Sequence, residues 1–274
     1  MACSSGESTP AREGCVGETA APLQLCAKGP VLEGIDVSVW QGDVDWAKVK
    51  GSGRAFAFAR VANGLLKPDT KFAANWPAMK AAGLVRGAYL YFRPSQDAAA
   101  QAKAVLDALE AAGGLEAGDL PPVLDLEATD DLPAATVQAA AKTWLDIVEA
   151  KIGKKPIVYT AAYMSPQIGT SFGPYPLWVA HYTQQCPEMP AGWAAWQFWQ
   201  RSDKGTVPGI AGAVDLDSFD GTLADLQKLT LTCAPGACDP PADAGAPANT
   251  PPQAEPVAAP QRPANSAPDP CASR

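Results

Sequence analysis

Pro121-Pro122-Val123-Leu124-Asp125-Leu126-Glu127 is an apolar run that ends in two carboxylates. Two prolines open it and the apolar stretch is short, which reads as a buried strand. Side chains on a strand alternate between faces, so Asp125 and Glu127 share one. Their Cα atoms would lie roughly 6.6 Å apart at ~3.3 Å rise per residue. Two carboxyls aimed into one pocket repel, and the proton affinity of one of them rises.

Outward from that run, apolar strands alternate with amphipathic helical stretches. Upstream, Leu32–Ser38, Ala55–Val61 and Val85–Phe92 read as strands, separated by helical stretches over Val44–Lys50 and Phe72–Gly83. Asp97–Ala112 and Ala134–Ile152 read as long helices on either side of the quoted run. Downstream, Ile157–Ala161, Leu177–Tyr182, Ala195–Gln200 and Ala213–Phe219 read as strands, and Leu223–Leu229 as a closing helix. Strands separated by helices argue for a parallel sheet. Eight strands in about 190 residues suggest closure. The predicted fold is α/β, an irregular (β/α) barrel of about eight strands with non-globular N- and C-terminal extensions. The later strands have little helix between them, hence the irregularity. An open doubly wound sheet is the alternative.

The 274 residues carry 21 aromatic side chains, all between Trp40 and Phe219. Neither end can therefore build a core of its own. This divides the chain into an N-terminal extension (1–30), a barrel domain (31–232) and a tail (233–274). The stretch from Ala234 onward holds 12 Ala and 11 Pro in 41 residues, a composition expected to stay extended and disordered. Net charge is −8, so nucleic acid is a poor partner, because phosphate binding needs a basic face. No apolar run reaches the ~18 residues a transmembrane segment requires.

Of the seven cysteines, only Cys186 lies within the aromatic-bearing region, and the others sit in or beside the ends, where disulfides help most. There is no Cys-x-x-Cys, and one histidine (His181) cannot complete a Cys/His zinc set. No metal and no cofactor are expected. A secreted or cell-envelope protein with a few disulfides is the expectation, its signal peptide not present in this chain. Cys3, ahead of Ser4-Ser5-Gly6, is either a lipid-bearing residue or a free thiol.

In a barrel of this type, chemistry gathers at the C-terminal ends of strands. Asp36 ends Glu33-Gly34-Ile35, and Asp215 ends Gly212-Ala213-Val214. A single acid at a strand end is usually a helix cap. Four, including an Asp-x-Glu pair, point to catalysis: a general acid beside an ionised partner is what glycosidic cleavage requires.

Gly34-Ile35-Asp36-Val37-Ser38 with Gln41-Gly42 and Asp45-Trp46 resembles the opening of glycoside hydrolase family 25, the Ch-type muramidases. Phe58-Ala59-Arg60, Ala82-Gly83-Leu84 with Gly87-Ala88-Tyr89, and the Pro122–Glu127 run continue the likeness in order. Pro156–Thr160, Leu177–Tyr182, Trp196-Gln197 and Val214–Asp217 complete it. The resemblance implies a modified barrel that hydrolyses the β-1,4 bond between N-acetylmuramic acid and N-acetylglucosamine. It also implies Glu127 as proton donor, Asp125 as charge-stabilising or substrate-orienting partner, and Asp36 and Asp215 as the rest of an acidic floor. Where the family's third strand usually reads Tyr-His-Tyr, this chain has Tyr89-Leu90-Tyr91, a change in barrel packing or in substrate contacts.

Sugars bind to flat apolar faces with polar rims. Tyr91, Tyr159, Tyr182 and Trp196 come near predicted strand ends and are the candidate stacking residues, with Gln197 as a hydrogen-bonding partner. The expected ligand is a peptidoglycan glycan strand, bound by a monomer. Gly169-Thr170-Ser171-Phe172-Gly173 mimics an esterase elbow but lies among prolines in a loop, without the strand and helix that motif needs. Two rivals remain, a non-catalytic glycan-binding protein on the same fold and a chitinase-like glycosidase. The latter's acidic run would place Val123 and Leu120 where it needs acids.

Overall fold

The computed structural model describes residues 23–233; the expectations for Cys3, the first residues and the Pro/Ala-rich tail lie outside them. Nine strands and six α-helices follow in order among the described residues. They are β1 (Val31–Val37), α1 (Trp46–Gly51), β2 (Phe56–Asn63), β3 (Lys67–Pro68), α2 (Phe72–Ala81), β4 (Val85–Tyr91), α3 (Ala98–Ala111) and β5 (Val123–Asp125). Then come α4 (Ala134–Ile152), β6 (Ile157–Ala161), α5 (Ser165–Ile168), β7 (Leu177–Ala180), β8 (Phe198–Gly205), β9 (Val214–Asp220) and α6 (Leu223–Leu229). Local signals set many boundaries. Asp97 caps α3 by accepting from the Ala100 amide, and Gly153 ends α4 in the left-handed conformation that a side chain would strain.

The sheet closes. Parallel pairing runs β1–β2–β4–β5–β6–β7–β8, and β9 bridges β8 and β1 antiparallel to both. The result is an eight-stranded barrel with β3 appended to β2 as a short hairpin, and it excludes the open sheet. The single reversed strand is the irregularity. A direct β8–β9 connection leaves no room for the crossover helix that parallel pairing demands.

Two layers of core follow from strand alternation. Outward-facing residues such as Ile35, Ala57, Leu90, Leu124 and Val158 pack with helix residues Trp76, Val105 and Trp144. Leu90 is fully buried there, so its replacement of a family histidine is a matter of packing between barrel and helices. Inward-facing Phe56, Phe58, Trp178, Phe198 and Phe219 fill the barrel, with Phe58 and Trp178 stacked at 4.3 Å. Gly34 and Gly87 make this filling possible, since a Cβ on either would lie 2.3 Å from the ring of Phe56 or Phe58. Five aromatic rings thus plug the lower barrel and leave its upper mouth to polar side chains.

Residues 23–30, ahead of β1, are held against the domain. Cys26 is disulfide-bonded to Cys186, across 160 residues. Leu25 and Ala27 pack against the outer core. The segment lies alongside the β7–β8 loop, with the Leu25 amide donating to Pro187 and the Met189 amide to Leu23.

Candidate active site

β5 places its acids as the alternation requires. Val123 points into the barrel, Leu124 and Leu126 point out into the helix layer, and Asp125 turns inward with Glu127 beyond it at the mouth. Asp125 registers between Tyr91 of β4 and Tyr159 of β6. Asp36 on β1 lies opposite Asp215 on β9. Asp215 stands near the start of β9, not at a strand end as its sequence context suggested; the reversal of β9 brings that start to the same rim. All four acids line one cavity of about 210 Å³.

Hydrogen bonds fix the cavity's interior. Gln200 on β8 donates from Nε2 to Asp36 Oδ2 at 2.7 Å. Its Oε1 accepts from the hydroxyls of Tyr159 at 2.7 Å and Tyr182 at 3.0 Å. Beneath them, Trp178 Nε1 donates to Asp217, which is fully buried. Among the described residues Arg60 is the one cation lining this cavity, and it is held by Asp69 at 3.0 Å. Asp125 Oδ1 is buried and has no hydrogen-bond partner among the described residues. Asp217 Oδ2, deeper in the barrel, is likewise without a partner among the described residues; of the acids lining the cavity it is Asp125 that keeps a buried oxygen with unused accepting capacity.

Burial dominates the electrostatics. It pushes the Asp125 carboxyl well above the usual carboxylate range; Glu127 adds to the rise and the Arg60 charge opposes it. Glu127 is raised first by burial and then by Asp215. Asp36 is raised well above its ordinary value by burial and by Asp215 and Asp217. Asp215 is raised to about 6 by burial and then by Asp203. Desolvation thus outweighs the mutual repulsion that the Asp-x-Glu spacing suggested, and neither acid ionises freely. Burial of this kind favours the protonated form of each carboxyl, the form that can give a proton to a basic centre.

The candidate substrate residues divide. Tyr91, Tyr159 and Tyr182 line the cavity. Trp196 and Gln197 do not. Trp196 is buried in the outer core, and its Nε1 donates to the Leu25 carbonyl at 2.8 Å. β8 begins at Phe198, so Gln197 precedes the strand and accepts from the Leu177 amide at the barrel's opposite end. The inward-facing glutamine is Gln200, two residues beyond inward-facing Phe198. The strand starts later than its apolar run suggests, so the inward amide is Gln200 rather than Gln197. Trp40, absent from the candidate residues above, also lines the cavity and is 82% exposed. Trp40 sits on a 3-10 turn (Val39–Gln41) held by a Ser38/Gln41 capping box and by Asp69, which accepts from the Val39 amide at 2.8 Å. The signal was available in the Ser-x-x-Gln spacing of that box.

Residues 35–210 match the glycosyl hydrolases family 25 profile. The chain is 41% identical over 204 residues to the uncharacterized protein YegX of Escherichia coli K12, covering 72% of this chain and 73% of that one. It is 34% identical over 218 residues to lysozyme M1 of Streptomyces globisporus, covering 74% and 72%. A bacterial lysozyme from Streptomyces coelicolor superposes with a TM-score of 0.68 at 32% identity, over 73% of this chain and 96% of that chain. A closed barrel with one reversed strand, four inward acids at its mouth and a family match across most of the domain lead to one assignment: the chain belongs to glycosyl hydrolase family 25 and is a glycoside hydrolase.

Proposed function

We propose that the protein is a lysozyme, cleaving the β-1,4 bond between N-acetylmuramic acid and N-acetylglucosamine in peptidoglycan. The observation that carries this reading is the Asp125–Glu127 pair, inward at and just beyond the end of β5, with burial raising both carboxyls. Glu127 is the general acid: it stands at the mouth, within reach of solvent and substrate, and carries a proton to the departing glycosidic oxygen. Asp125 lies deeper. Its unpartnered Oδ1 accepts from the substrate's acetamido N–H or faces the positive charge that develops at the sugar ring. Gln200 holds Asp36 in place, Asp215 sets the local field, and Trp40, Tyr91, Tyr159 and Tyr182 offer faces and hydroxyls to the sugar.

The rivals fit less well. Buried carboxyls are costly to desolvate, and a binding module would gain little from four of them. A chitinase-type acidic run would need charged side chains at positions that Val123 and Leu120 fill with apolar packing inside the barrel. The Cys26–Cys186 disulfide supports an oxidising, extracytoplasmic destination. Among the described residues no helix is long and apolar enough to cross a membrane.

The test is product analysis. Wild-type protein should release fragments with reducing-end muramic acid from purified peptidoglycan. Glu127→Gln should lower kcat by about 10²–10⁴ with an unchanged melting profile, since glutamine keeps the shape but donates no acidic proton. Near wild-type turnover by that variant would end the assignment.

A further inference from the structure

The cleft does not stop at the four acids. Beyond Glu127 it opens into a second lobe of about 400 Å³, and Glu127, Tyr159 and Tyr182 line both. A general acid stands between the sugar it releases and the sugar it leaves behind. If the lobe with Asp125 and Asp36 holds the sugar bearing the reacting carbon, the second lobe receives the departing one. This placement rests on the lysozyme reading above.

His181, the single histidine of the chain, lies on the wall of that second lobe. It follows β7 directly and is held on three sides. Its amide donates to the Gln200 carbonyl at 3.0 Å, and its carbonyl accepts from Trp199 Nε1 at 2.8 Å. The Glu188 backbone N–H donates to its Nδ1 at 3.0 Å. An Nδ1 that accepts leaves the proton of the neutral ring on Nε2. Nε2 has no partner among the described residues, so the ring presents a fixed N–H donor without a protein acceptor. Glu188, whose carboxylate has no ion-pair partner among the described residues, lines the same lobe. Ala161, Ala162 and Ala180 supply small apolar walls.

A ring N–H donor, a carboxylate acceptor and a methyl-sized apolar wall complement a secondary amide, which offers a carbonyl, an N–H and a methyl. An anionic acceptor would meet Glu127 and Glu188 and be repelled. We propose that His181 and Glu188 form a recognition site for a secondary amide on the departing side of the scissile bond, and that the Cys26–Cys186 disulfide holds it in register. The disulfide acts through the Glu188 amide. Leu23, Gln24 and Leu25 pair along Pro187–Met189, immediately beside Cys186, and so fix the strand whose N–H sets the His181 tautomer. The amide is the acetamido group of N-acetylglucosamine or a peptide bond of the stem, and the substrates below separate the two.

The experiment compares wild type, His181→Ala and His181→Gln on three substrates. These are peptide-free N-acetylated glycan, peptide-free glycan de-N-acetylated at glucosamine only, and intact walls. On the acetylated glycan His181→Ala should raise KM about tenfold and leave kcat within about twofold, the equivalent of one lost hydrogen bond. On the de-N-acetylated glycan the two proteins should have equal KM. His181→Gln should restore most of the difference, because its carboxamide can accept from Glu188 N–H and donate into the lobe. A KM effect confined to stem-bearing walls would assign the amide to the peptide. Cys186→Ser, checked for an intact near-ultraviolet spectrum, should reproduce the KM rise on the substrate that His181→Ala affects; a normal KM there would remove the disulfide from the proposal. Equal kinetics for His181→Ala and wild type on all three substrates would overturn the site while leaving the lysozyme reading intact. Absence of reducing-end muramic acid from wild-type digests would instead refute that reading.

Discussion

Asp215→Asn should stabilise the fold at neutral pH and leave it unchanged in acid. Burial, with Asp203 next, raises the Asp215 carboxyl from an ordinary value of 3.8 to about 6, against the opposing hydrogen bond with Asp36. In the unfolded chain that environment is gone. Between about pH 4 and pH 6 the folded protein therefore keeps a proton that the unfolded chain has released. Stability falls as pH rises through this window and levels off above it. At ~1.4 kcal/mol per unit, the full shift would cost about 3 kcal/mol at pH 7. Asp215 is only partly buried, and solvent screening reduces this to about 1–2 kcal/mol. Asparagine carries no charge to desolvate and can still hydrogen-bond Asp36. Urea unfolding followed by tryptophan fluorescence should show a gain of about 1–2 kcal/mol near pH 7.5 and almost none near pH 3.5. A loss at neutral pH, or the same gain at both values, would refute the electrostatic reasoning. Wall hydrolysis by this variant should fall less than that of Glu127→Gln, because Asp215 shapes the field and donates no proton to the bond being broken.

Two further substitutions separate packing from binding among the tryptophans. Trp196→Ala should lower stability by about 3–5 kcal/mol, the usual cost of deleting a buried aromatic, with kcat unchanged below the unfolding transition. Trp40→Ala should change stability by less than about 0.5 kcal/mol, since the ring is 82% exposed. Its KM for glycan should nevertheless rise about 3- to 10-fold from loss of a stacking face, and an unchanged KM would remove Trp40 from the substrate path.

Where the reading of individual residues succeeded, the deciding physics was local. Strand alternation puts Asp125 and Glu127 on one face whatever surrounds them, and the same rule separates Leu90 from Tyr89 and Tyr91. Helix ends such as Asp97 and Gly153 were legible because caps satisfy backbone groups within a few residues. The errors came where a side chain's fate depends on a distant partner. Trp196 and Gln197 were near a strand end by sequence, yet the strand begins only at Phe198, where pairing with Trp178 and Phe219 starts.

The amino-acid sequence by itself determined which acids face together on β5, that the domain alternates strand and helix, and that its core lies between the aromatic-free ends. Only the tertiary structure decided which rim those acids share with Asp36 and Asp215. That choice depends on the reversal of β9 and on its pairing with β1, contacts between residues about 180 apart in the chain. The same holds for the Gln200 hub, the Asp217–Trp178 bond and the disulfide that ties Cys26 to Cys186. Periodicity reports the face a side chain takes on its own element. It carries no information about register or strand direction, because those are settled by burial and hydrogen bonding between segments that meet only when the barrel closes.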